Sequence, residues 1–166
     1  VLEQVLRLDP SHPPANNDLG YTWVDANKNL DRAEAMIRRA VGAEPENEMF
    51  LDSLGWALYK RGQFAEALVH LEKAVTIATP PDPVVVENMQ KSFEGLSPQL
   101  KVGLIQVMLR KYGENVTVNQ QLDEPTKDAL RRVYAARYPQ LGDTVDVLSW
   151  KGFEPLFFGV PMPWDP

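Results

Sequence analysis

The strongest constraint on the fold is a recurrence of small and large apolar residues about every 35 positions. In LDSLGWALYKRGQFAEALVHLEKA, residues 51–74, Leu51, Leu54, Leu58 and Tyr59 recur at three- and four-residue spacing. That spacing gives a helix one apolar face. Arg61-Gly62-Gln63 interrupts it, and Gly62 is the natural left-handed residue to close the helix. Phe64, Ala67, Leu68, Leu71, Ala74 and Val75 then mark the inner face of a second helix. Thr79-Pro80-Pro81-Asp82-Pro83 ends it, because Pro has no N–H to donate and restricts the residue before it. Two helices joined by so short a turn form an antiparallel hairpin.

The same pattern lies upstream. Leu19-Gly20 answers Leu54-Gly55, Leu30 answers Phe64, Ala33 answers Ala67, Ile37 answers Leu71 and Ala40 answers Ala74. Pro10 and Pro45 stand 35 residues apart, each in acidic surroundings. The offset changes by one residue inside DANKNL, where the turn differs in length. Hairpins at a fixed period predict a helical solenoid. Gly and Ala let neighbouring backbones approach, while Leu and Phe fill the spaces between.

Residues 1–82 resemble the tetratricopeptide repeat family. The residues that carry the likeness are Leu54, Gly55, Leu58, Gly62, Phe64, Ala67, Leu71 and Ala74 in one repeat. In the other they are Leu19, Gly20, Leu30, Ala33, Ile37, Ala40 and Pro45. Leu2, Val5 and Pro10 read as the tail of an earlier repeat, and the opening VLEQVLRLDP as the middle of a helix, so a fragment of a longer protein is expected. Thr79 stands where the family has Pro, and Pro13-Pro14 opens the first complete repeat. The resemblance implies a concave surface lined by the first helix of each repeat, with a peptide or protein as partner. By position it offers Asn17, Tyr21, Val24 and Asp25, then Asp52, Trp56, Tyr59 and Lys60. Tyr and Trp suit a binding face, although packing against the next helix is the competing role for Trp56 and Tyr59. Family members that grip a terminal carboxylate use Lys, Asn and Arg. The corresponding positions hold Asn17, Tyr21 and Ser53, so no such clamp is expected.

Residues 83–97, with Val84, Val85, Val86, Met89 and Phe93, predict one more helix, either the first of a degenerate third repeat or a cap. From Ser97 the repeat is lost. Ser97-Pro98 starts a helix carrying Leu100, Leu104, Ile105, Met108, Leu109 and Tyr112 and ending at Gly113. ENVTVNQQLDEPT reads as a loop, and Asp123 caps a helix with Leu130, Val133 and Tyr134. A short helix is expected over 144–150, and the aromatic, Pro-rich stretch 152–166 as an extended tail. The expected division is 1–96, repeats with a capping helix; 97–151, a small helical domain; and the tail. Ile105, Gln106, Leu109, Gly113, Leu122, Thr126, Ala129, Leu130 and Tyr134 resemble the peptidoglycan-binding-like helical domain. Val118-Asn119-Gln120-Gln121 stands where that family has turn glycines. This second resemblance implies peptidoglycan as an alternative partner and a bacterial envelope location.

The fold class is therefore all-α: a solenoid of helical hairpins followed by a small helical unit. A net charge of −6 argues against nucleic acid, since phosphates demand clustered cations and Arg131, Arg132 and Arg137 form only a small group. The absence of Cys excludes thiolate chemistry and disulfides. No apolar stretch is long enough to span a bilayer. His12 lies among prolines and His70 on a helix near Glu66 and Lys73. No catalytic, metal or phosphate motif accompanies them, so no cofactor and no enzymatic activity are expected. A regulatory portion of a larger enzyme is the remaining alternative.

Overall fold

The computed structural model describes residues 1–78, 80–141 and 145–159; Thr79, whose departure from the family pattern is noted above, lies outside them. Among the described residues all regular structure is helical. The helices are α1 Leu2–Leu8, α2 Pro13–Asp25, α3 Leu30–Ala43, α4 Glu48–Lys60, α5 Phe64–Ile77, α6 Pro83–Gly95, α7 Pro98–Lys111, α8 Glu124–Arg137 and α9 Trp150–Phe158, with a 3-10 turn at Pro139–Leu141. The chain divides into two compact units, Val1–Gly95 and Leu96–Pro166.

In the first unit α2/α3 and α4/α5 are the two hairpins, and their recurring small residues sit where helices touch. A methyl group on Gly55 would stand 2.5 Å from Leu71 Cγ. One on Gly20 would stand 2.7 Å from Ile37 Cγ1 and 2.9 Å from the Ala33 carbonyl. Ala33, Ala40, Ala67 and Ala74 are fully buried on the opposing helices. The turns differ as the change of offset implies. After α4, the Gly62 amide donates to Tyr59 O and the Gln63 amide to Leu58 O, with Gly62 at φ +76°. That is the glycine-dependent double closure of a helix end. After α2, Asn27 takes the same role at φ +52°: its amide donates to Val24 O and that of Lys28 to Trp23 O. Asn29, at φ +48°, supplies the extra residue of the longer turn. Asn is the side chain that best tolerates this region after Gly.

Helix α6 packs on α5 as α4 packs on α3, and on α4 as α4 packs on α2. It occupies the position of a further first helix, and it covers the open side of the α4/α5 hairpin.

In the second unit Ser97 caps α7 through the Leu100 amide at 3.3 Å, and Asp123 caps α8 through the Thr126 amide at 3.0 Å. Gly113, at φ +85°, closes α7 with the closure seen at Gly62. The intervening loop is organised by the buried Gln106. Its Oε1 accepts from the Asn119 and Gln120 amides, each at 3.0 Å, and its Nε2 donates to Asn119 Oδ1, Gln121 O and Thr126 Oγ1. These bonds hold Gln120 at φ +61°, in the conformation a turn glycine would otherwise supply.

The structure departs from the sequence in two places. The helix expected over 144–150 is not seen in its described part: residue 144 lies outside the described residues, 145–149 are loop and turn, and α9 starts only at Trp150. Asp146 ties this turn together, its carboxylate accepting from the Leu148 amide and its carbonyl from Ser149 Oγ. Nor is 152–158 extended. Ser149 caps α9, and Trp150, Phe153, Leu156 and Phe157 share one buried face. Burial of that face outweighs the break expected from Pro155. Residues 160–166 of the expected tail lie outside the described residues.

Two stability measurements check this packing. Gly→Ala in a helix interior normally gains about 1 kcal/mol. Gly42→Ala, with nothing within 4 Å of the new methyl, is expected to raise the urea midpoint. Gly55→Ala is expected to lower it, because overpacking against the fully buried Leu71 costs about 1–3 kcal/mol. Equal signs would refute the close approach. Separately, Gln106→Leu leaves two backbone amides without their acceptor and is expected to cost about 2 kcal/mol or more. An unchanged midpoint would refute the role given to Gln106.

Candidate functional site

Helices α2, α4 and α6 lie in sequence across one face of the first unit, and the residues expected to line a groove fall on them. An open depression of about 350 Å³ lies between α2 and α4, its walls including Asn17, Asp18, Tyr21, Met49, Asp52 and Ser53. Asn17 is nearly buried, with 6% of its surface exposed. Its Nδ2 donates to Asp18 Oδ1 at 3.3 Å, while its Oδ1 has no partner. Tyr21 remains 39% exposed. Desolvation pushes its phenol pKa up; Asp25 and Asp52 add to this and Lys91 opposes it. Asp52 accepts from Asn88 Nδ2 at 2.9 Å. Burial pushes its carboxyl above the usual carboxylate range, against the Asn88 bond, with Asp82 and Glu48 adding to the rise.

Further along α4, the half-buried Trp56 stacks on Tyr59, the ring centroids 5.1 Å apart and 14° from parallel. Lys60 Nζ and Lys91 Nζ both approach the indole, at 5.2 and 5.1 Å from its centroid. Such cation–aromatic contacts contribute about 0.5–1 kcal/mol each at exposed sites. Trp56 Nε1 is buried without a partner. Tyr59 also leans on Phe64 at 5.6 Å, so part of its ring braces the hairpin. Asp25 is exposed at the end of α2. Val24 is different: it is fully buried in the hairpin core and offers no surface. Asn88 and Lys91 on α6 join the site and were missed by sequence reading. Their signal was present, since they follow Asp52 and Trp56 by 36 and 35 residues, the repeat spacing.

The histidines have structural settings. His12 caps α2, its Nδ1 accepting from the Ala15 amide at 3.2 Å. Desolvation pushes the His70 imidazole pKa down, with Arg38 assisting. Arg131 pairs with Asp128, Arg132 with Glu114 at 2.6 Å, and Arg137 lies over Tyr112 at 4.9 Å. Among the described residues no three acidic, His or Cys side chains are placed to hold a metal ion, and no helix is long and apolar enough to cross a membrane.

Residues 18–83 match the model of the tetratricopeptide repeat family. This segment is a tetratricopeptide repeat region. The match begins inside α2, runs through α3, α4 and α5, and stops at the first residue of α6. A TPR repeat-containing protein of Pseudomonas aeruginosa is 34% identical over 74 residues, which are 45% of this chain and 12% of that relative. The chain therefore aligns with only a small part of the relative's length. Tetratricopeptide repeats are protein–protein interaction modules, and α2 and α4 of the face just described are the first helices of this repeat region.

Asp52 yields a pH prediction for the repeat region. Its folded pKa lies above the ordinary value of 3.8, so the folded state holds the proton more tightly. Stability is then lost as pH rises from that ordinary value through the folded one. At neutral pH the ionised group opposes folding. Asp52→Asn retains an acceptor for Asn88 and is expected to raise the urea midpoint at neutral pH. The gain should vanish in acid, below about pH 4. A midpoint at or below that of the wild type at neutral pH would contradict the burial of this charge.

Proposed function

We propose that this chain is a non-catalytic interaction module that docks a peptide or protein segment across the face formed by α2, α4 and α6. One observation carries the reading. Among the described residues, three buried side-chain polar atoms lack a hydrogen bond: Asn17 Oδ1, Trp56 Nε1 and Glu34 Oε2. Glu34 Oε2 is ion-paired with Arg61 Nε at 2.9 Å. The other two both lie on the first-helix face, which leaves one acceptor and one donor unspent there. Leaving such groups unmade costs about 1–3 kcal/mol each, a cost that a partner's backbone amide or carbonyl would offset. The half-buried Trp56 supplies the adjoining aromatic anchor. Nucleic acid does not suit a face that carries Asp18, Asp25 and Asp52.

A second reading concerns the other unit. The helix–loop–helix Pro98–Arg137 is the arrangement that the peptidoglycan-binding-like resemblance implies. Weighing against it, the loop spends much of its polar capacity on Gln106. Sedimentation with purified peptidoglycan separates the two readings, since only the second expects the chain in the pellet.

Trp56→Ala is expected to weaken capture of protein partners about tenfold or more, the loss usual for a central aromatic anchor, while helical circular dichroism is retained. Undiminished capture of every partner by a folded variant would contradict the proposal.

A further inference from the structure

We infer that the depression between α2 and α4 is a subsite for a basic side chain, arginine or lysine, of the docked partner; this rests on reading the first-helix face as the docking surface. The charge of the lining is one-sided. Asp18 and Asp52 supply carboxylates, and no Lys, Arg or His lines the depression. The nearby Lys91 is already committed, its Nζ 2.7 Å from Glu87 Oε1 and over the Trp56 ring. An independent feature also asks for a donor. Asn17 is more than nine-tenths buried, lines the same depression and has an unpartnered carbonyl oxygen. A guanidinium or ammonium donates several hydrogen bonds and accepts none. It therefore suits the negative lining and the open Asn17 acceptor, whereas an entering anion would meet two carboxylates and find only the neutral donors of Tyr21, Thr22, Ser53 and the Asn17 amide.

The remaining walls fit the stem of such a side chain. Met49 is 68% exposed and Tyr21 39% exposed. Long basic residues lay their methylenes along apolar surface and place their charge against acceptors or an aromatic face. A bare divalent ion suits the site less well, since Ca²⁺ takes six to eight oxygens and no three acidic, His or Cys groups converge among the described residues. The chemistry is the reverse of a groove that grips a terminal carboxylate with cations.

The test is an array of blocked peptides of about a dozen residues and random composition, probed with the whole chain. Bound peptides should be enriched in Arg or Lys at one position. Replacing an arginine there by citrulline, or a lysine by norleucine, which nearly keeps the stem and removes the charge, should weaken binding about tenfold or more. Asp52→Asn, which keeps its Asn88 acceptor, and Asp18→Asn at an exposed position should each erase the basic preference. Peptides bound without a basic preference, citrulline or norleucine peptides bound equally well, or a preference unchanged in both variants would overturn the subsite and leave the docking face standing. Failure of the wild type to bind any peptide would overturn both.

Discussion

The side chain of Leu71 presses on the backbone of Gly55 with no room for a methyl group between them, and Ile37 and Ala33 press on Gly20 in the same way. This close approach recurs a third time, where a methyl on Gly95 would stand 2.8 Å from the Phe64 ring. The rest of the first unit follows from it. Where hairpins close so tightly, their large residues face inward and fill the core. The first helices are then left side by side with their polar and aromatic residues outward. Each hairpin buries its remaining apolar side on the next, which is why such units are stable as a stack.

The two units treat buried polarity in opposite ways. Gln106 makes five hydrogen bonds within its own unit and turns a loop without glycines into a defined shape. Asn17 Oδ1 and Trp56 Nε1 are left without partners, and Asp52 is held where burial raises its pKa. These polar groups oppose folding, and the proposed docking partner would satisfy them. Among the described residues the first-helix face concentrates such groups.

The hairpins were legible in the sequence because their signals are local. Gly62 and Gly113 close helices where their spacing implies, and Ser97 and Asp123 cap helices as their types demand. The longer first turn was visible as a changed offset, but the left-handed Asn27 and Asn29 that build it were not, since Asn there also suits an ordinary loop. Features set by contacts between distant segments were illegible. Leu100 belongs to the apolar pattern of α7 yet is exposed, and Val24 holds a groove position by alignment yet is buried. Helix α9 begins at Trp150 because the Asp146 turn and Ser149 place its start there, and its aromatic face is covered despite Pro155. At the site, Asn17, Tyr21, Asp52 and Trp56 were named from the repeat register. Asn88 and Lys91 were missed because α6 was left between a third first helix and a cap, and only the two complete repeats were used to place groove positions.

The most direct measurement is site-specific photo-crosslinking in cells, with a photoreactive phenylalanine analogue placed either at Tyr21 on α2 or at the exposed Val69 on α5. A docking surface on the first helices predicts a discrete crosslinked partner from position 21 and none from position 69. Crosslinks from position 69 alone would contradict it.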